Sequence, residues 1–120
     1  METTSKDIEK LLGWLDLSTC NFLAAKTIAE ELSAAGFKML LQGDRWDIKP
    51  GGKYFVVKND SAVFAFIAGT ENPADAGFHI ISAHSDSPCF KVKPNAEIYG
   101  EGGVVSLNVE KYGGGILYTW

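Results

Sequence analysis

Residues 78–88 read Phe78-His79-Ile80-Ile81-Ser82-Ala83-His84-Ser85-Asp86-Ser87-Pro88. Residues 78–83 form an apolar run without helical periodicity, bounded by polar segments. That is the pattern of a central strand buried on both faces. The run ends in a histidine, a carboxylate follows two positions on, and a proline closes the turn. Open α/β sheets bind their ligands outside the strand ends. The stretch therefore reads as the functional end of an α/β sheet.

Upstream, the punctuation is consistent with that class. Residues 69–77, with Asn72-Pro73, make a loop. Residues 53–58 and 62–68 read as two strands joined by the tight turn Asn59-Asp60-Ser61, an antiparallel hairpin. Pro50-Gly51-Gly52 closes the polar stretch before it, and 37–41 is a short apolar run. Further back, Ile8, Leu11, Leu12 and Leu15 recur at helical spacing over residues 6–15. A second helix extends to about Ala35, with Phe22, Ala25, Ile28 or Ala29, Leu32 and Ala35 on one face. Ser18 or Thr19 is placed to cap it, and Gly36 stands where a left-handed C-terminal residue belongs.

Downstream, residues 90–92, 96–99 and 104–109 are strand-like and separated by glycine and proline. Gly113-Gly114-Gly115 follows, and the chain closes on the apolar run 116–120. Exposed termini are usually polar, so the single α/β unit reads as cut short there.

Composition bounds the function. The 120 residues are 46% hydrophobic and 22% charged, the balance of a globular domain. A net charge of −4 and a pI near 5.1, without a Lys/Arg cluster, give no support to a nucleic-acid partner. No apolar run approaches the roughly 20 residues of a membrane span. Cys20 and Cys89 are far apart and form no metal-binding pair, so they read as free thiols of a cytoplasmic protein.

The chemistry concentrates in His84 and Asp86. A histidine at a strand end can offer a ring nitrogen to a metal, and a carboxylate two residues on can hold the imidazole in place. An isolated histidine is more often a hydrogen-bonded surface or core residue than a metal ligand, and both readings stand at this point. His79 lies five positions before His84, an odd spacing that sends the two side chains to opposite strand faces, so His79 reads as structural. The triple glycine lacks the ending of a phosphate loop and reads as a flexible or closely approached backbone. No Gly-x-Ser-x-Gly elbow is present, and Cys89 lacks any sequence sign of an activated thiol.

Three ordered segments resemble the aspartyl aminopeptidases. Ala83-His84-Ser85-Asp86-Ser87-Pro88-Cys89-Phe90-Lys91-Val92-Lys93-Pro94 is similar to their Ala-His-Thr-Asp-Ser-Pro stretch. Val109-Glu110-Lys111-Tyr112-Gly113-Gly114-Gly115-Ile116 resembles the Gly-rich segment that follows it there. Gly51-Gly52-Lys53-Tyr54-Phe55-Val56 resembles a hairpin strand of the same family, and the N-terminal helices are similar too.

The resemblance implies the N-terminal part of a zinc-peptidase-like α/β/α sandwich with a mixed sheet. Residues 1–120 would be the first portion of a catalytic domain that an inserted oligomerisation domain splits, with that insert and the second catalytic half absent. It implies a metal-dependent aminopeptidase that removes N-terminal Asp or Glu from peptides and assembles as a large homo-oligomer. The implied cofactor is Zn2+ in a dinuclear site, with a bridging aspartate and a general-base glutamate expected beyond Trp120. His84 takes the place of a metal ligand, and Asp86 that of the catalytic carboxylate supporting it. Ser85 replaces the more usual threonine. The alternative expectation is a non-catalytic fold fragment that acts as a weak metal- or partner-binding module.

Overall fold

The computed structural model describes residues 2–116 and 118; the expectation of an apolar terminal run at 116–120 falls mostly outside them. Two compact units are taken separately, Met1–Asp86 and Ser87–Trp120.

In the first unit, helix α1 spans Glu2–Leu17 and helix α2 spans Asn21–Ala34. The expected stripe of α1 forms, but Ile8, Leu11, Leu12 and Leu15 are each about half exposed. The cap of α2 differs from expectation. Cys20 occupies the N-cap position and makes no side-chain cap. Ser18 closes α1 through its N–H to the Leu15 carbonyl, and its buried hydroxyl has no hydrogen-bond partner among the described residues. The C-terminal end follows the sequence: Gly36 has φ +81, its N–H donates to Ser33, and the Phe37 N–H donates to Leu32. That pair of bonds is a Schellman motif, which satisfies carbonyls the helix leaves open.

Strands β1 (Lys38–Met39), β2 (Lys53–Lys58) and β3 (Ala62–Ile67) form one sheet in the order β1-β2-β3. β1 pairs parallel with β2, and β2 antiparallel with β3. The fold is therefore mixed α/β with a mixed sheet, as expected. A parallel return needs about a dozen residues, and residues 40–52 supply them. At the hairpin, Asn59 and Asp60 adopt φ +51 and +53, and the Ser61 N–H donates to the Lys58 carbonyl at 3.2 Å. Asn and Asp tolerate positive φ better than other side chains.

All three central residues of β2 are buried. Tyr54 and Val56 pack with Leu40 on one face, flanked by Ile48, Phe66 and Ala68. Phe55, 1% exposed, points to the opposite face by strand alternation. α2 packs on β2 and β3, and its buried residues are the small Ala24 and Ala25, which permit close approach. The Tyr54 hydroxyl accepts the Lys49 N–H at 3.0 Å. Its ring lies over Gly52, where a Cβ would collide with it. That close approach accounts for glycine before Lys53-Tyr54. Beside it, a hydrogen bond from Lys49 to Asp47 holds the Lys49 ammonium above its ordinary pKa.

The loop at 69–77 contains one helical turn, α3 (Pro73–Ala76), capped by Asn72 Oδ1 accepting from Ala74 at 3.1 Å. Residues 78–83 depart most from expectation. They form no strand, and Phe78 and Ile81 are 78% and 99% exposed. The physical reason is that an interior strand exists only through hydrogen bonds to neighbours on its edges. The described residues offer none to this segment.

The second unit is one hairpin, β4 (Cys89–Tyr99) with β5 (Val105–Tyr112), joined through a 3-10 turn at Glu101–Gly103. The two short runs expected at 90–92 and 96–99 belong to one strand. Between them the register slips: Val92 pairs with Val109, but Glu97 pairs with Leu107. The extra residues include Pro94, which has no N–H to give a ladder and is tolerated at such an irregularity. Paired residues share a face, so Phe90, Val92, Tyr99, Val105, Leu107 and Val109 lie on one side, together with Glu97 and Lys111, and this mainly apolar side is largely exposed. The Glu97 carboxylate accepts the Tyr99 hydroxyl and raises the phenol's pKa.

Candidate functional site

His84 and Asp86 lie just past the exposed run 78–83, in the first unit. His84 Nδ1 is 3.0 Å from the Asp86 backbone carbonyl and 3.1 Å from Asp86 Oδ1. Both partners are acceptors, so Nδ1 carries the hydrogen that they share. In the neutral ring this leaves the lone pair on Nε2. The imidazole side chain is 84% exposed and the carboxylate 41%. The pair thus presents one oriented nitrogen donor outward, with the carboxylate fixing the tautomer and the ring plane.

Ser85 points elsewhere. Its hydroxyl donates to the Ser61 carbonyl at 3.3 Å in a partly buried position. Sequence reasoning treated Ser85 only as a replacement for threonine. No local pattern marks a contact across 24 residues of chain, so the hydrogen bond had no legible signal.

His79 is exposed in the run that forms no strand, so the face argument that assigned it a structural role has no strand to rest on. Cys20 and Cys89 are free thiols. Of the triple glycine, Gly113 is the closely approached position: φ is +82, and a Cβ would lie 3.1 Å from Pro88 Cα. No group of three or more His, Cys, Asp or Glu side chains able to hold a metal occurs among the described residues.

Residues 14–120 match the family described as Aminopeptidase I zinc metalloprotease (M18). The chain belongs to the M18 family. This M18 chain is 42% identical over its whole length to a probable M18 family aminopeptidase 2 of Clostridium novyi, covering 28% of that protein. It is 41% identical over 110 residues to the protein so named in Pseudomonas paraeruginosa, covering 92% of this chain and 25% of that one. The M18 chain thus spans about a quarter of the length of the curated relatives it matches. A chain in the cryo-EM structure of the Ape4 and Nbr1 complex superposes with a TM-score of 0.84 at 37% identity, over 92% of this chain and 21% of that one. Aminopeptidase I from Borrelia burgdorferi gives 0.78 at 21% identity, over 99% and 29%, which shows a shared fold.

The family is one of zinc enzymes, and a zinc site takes three or four protein ligands. The residues present offer donors whose chemistry suits that metal: an exposed imidazole and a carboxylate bonded to the same ring. The outward Nε2 lone pair is the donor, and the bond from Nδ1 to Asp86 is the support.

Proposed function

We propose that this M18 chain supplies one nitrogen ligand, His84, and its orienting carboxylate, Asp86, to the zinc centre of a metallo-aminopeptidase. The observation that carries the reading is the bond from His84 Nδ1 to Asp86, which leaves Nε2 as the outward donor. Membership in a family of zinc metalloproteases supports it. In this reading residues 1–120 are the first portion of a split catalytic domain, and the remaining ligands, the bridging aspartate and the general-base glutamate come from later residues. The relatives are about four times as long as this stretch, which leaves room for such further residues.

The chemistry a bound zinc supplies is Lewis-acid polarisation of the scissile carbonyl and acidification of a water to a pKa of about 7. The contribution of these residues is narrower. His84 offers the donor, Asp86 holds its tautomer and ring orientation, and the exposure of the ring leaves room for other ligands to reach the same ion.

The finer expectations come from the resemblance to aspartyl aminopeptidases: two zinc ions, a preference for N-terminal Asp or Glu, and a large homo-oligomer. The 120 residues by themselves support only a weak single-imidazole metal site, because no group of three or more ligand side chains able to hold a metal lies among the described residues.

The test is zinc and cobalt titration of the full-length polypeptide with and without His84→Ala. Metal content and hydrolysis of Asp-, Glu-, Ala- and Lys-initiated peptides are the readouts. Loss of one zinc equivalent and of hydrolysis in the variant supports the assignment. A variant that keeps full metal content and activity overturns it, and equal rates on all four peptides overturn the acidic preference.

A further inference from the structure

Residues 78–86 hold the candidate ligand, yet they are weakly tethered. None of them makes a backbone–backbone hydrogen bond among the described residues. His84 and Asp86 bond to each other, which orients the ring on its own loop but does not locate that loop. Among the described residues, one hydrogen bond connects this segment to the rest of its unit: Ser85 Oγ to the Ser61 carbonyl, 3.3 Å. The acceptor belongs to the β2–β3 turn, a well-defined anchor. Its Asn59 and Asp60 are both held at positive φ, and Tyr54, Phe55 and Val56 of β2 behind it are buried.

The three consecutive side chains therefore divide the work. His84 and Asp86 meet each other, and Ser85 reaches to the hairpin. We infer that Ser85 is a positioning residue, whose hydroxyl locates the His84–Asp86 pair relative to the sheet by tying it to the β2–β3 turn. The inference rests on the reading of His84 as a zinc ligand. It adds that the ligand's placement, as distinct from its orientation by Asp86, passes through residue 85. Alanine at 85 removes the donor and frees the loop. Threonine keeps a hydroxyl at the same carbon.

The test compares wild type, Ser85→Ala, Ser85→Thr and His84→Ala in the full-length zinc-loaded enzyme. The readouts are zinc retention against a competing chelator, the separate kcat and KM for an Asp-peptide, and the thermal midpoint. A neutral hydrogen bond of this kind corresponds to roughly a threefold to tenfold effect. Ser85→Ala is expected to weaken zinc retention by about that factor and to lower kcat with little change in KM, and Ser85→Thr to restore both. A hydroxyl that only stabilises the fold would shift the thermal midpoint and leave zinc retention untouched; that result overturns the inference. So does a Ser85→Thr variant as impaired as Ser85→Ala. The two levels separate cleanly. If His84→Ala keeps its zinc, the ligand assignment itself is wrong. If His84→Ala loses zinc and Ser85→Ala retains it fully, only the positioning role is wrong.

Discussion

An imidazole has two nitrogens, and a metal ligand must hold one of them free as a lone pair. In the proposed site Asp86 makes that choice. Its carboxylate and its carbonyl both face His84 Nδ1, so the proton stays there. Replacing Asp86 by Asn keeps the size and the carbonyl contact but removes the charge that supports the ring. Loss of such a partner typically lowers metal affinity or activity by about 10–100-fold. Asp86→Asn in the full-length enzyme is expected to lose zinc to a chelator within that range, and a titration that matches wild type would contradict the role. The pairing of His84 with Asp86 was legible in the sequence because two residues of spacing suffice for it. The contact from Ser85 to Ser61 was not, because a side chain's choice among distant carbonyls depends on how the chain between positions 24 apart folds.

At the scale of elements, the best-determined pieces are those closed by local bonds. The end of α2 rests on Gly36 at φ +81. A side chain there meets backbone strain of about 1–2 kcal/mol, so Gly36→Ala is expected to lower stability by that amount in urea unfolding, and an unchanged midpoint would show that the motif relaxes freely. β2 is the element most fully enclosed, with Phe55 1% exposed on one face and Tyr54 and Val56 on the other. Phe55→Ala removes a fully buried ring and leaves a cavity, a loss of about 3–5 kcal/mol. The same urea titration checks it: a loss under about 1 kcal/mol would mean the face is not enclosed as described. β4 shows the limit of local reading. Pro94 suggests two short strands, and the register slip between Val92 and Glu97 lets one strand pass the proline.

For the whole molecule, much apolar surface is uncovered. The stripe of α1, residues 78–81 and the apolar side of the β4–β5 hairpin contribute large exposed side chains. Contiguous patches of this kind drive association. The 120 residues expressed alone are expected to self-associate, to bind a hydrophobic dye and to hydrolyse no Asp-peptide at any zinc concentration. Sedimentation, dye fluorescence and peptide assay check the three. A monomer with cooperative unfolding would remove the association prediction, and zinc-dependent release of aspartate would remove the activity prediction.

Sequence alone was enough for the two helices, the Gly36 terminus, the β2–β3 hairpin and the His84–Asp86 pairing. Each depends on residues a few positions apart, whose geometry the backbone already constrains. Tertiary structure decided the parallel pairing of β1 with β2, the slip opposite Pro94, the tether from Ser85 to Ser61 and the exposure of residues 78–83. Those depend on partners distant in the chain. The run at 78–83 is the clearest case: its apolar composition suits an interior strand, but strand hydrogen bonds exist only between two chains of backbone, and among the described residues no second one lies beside it.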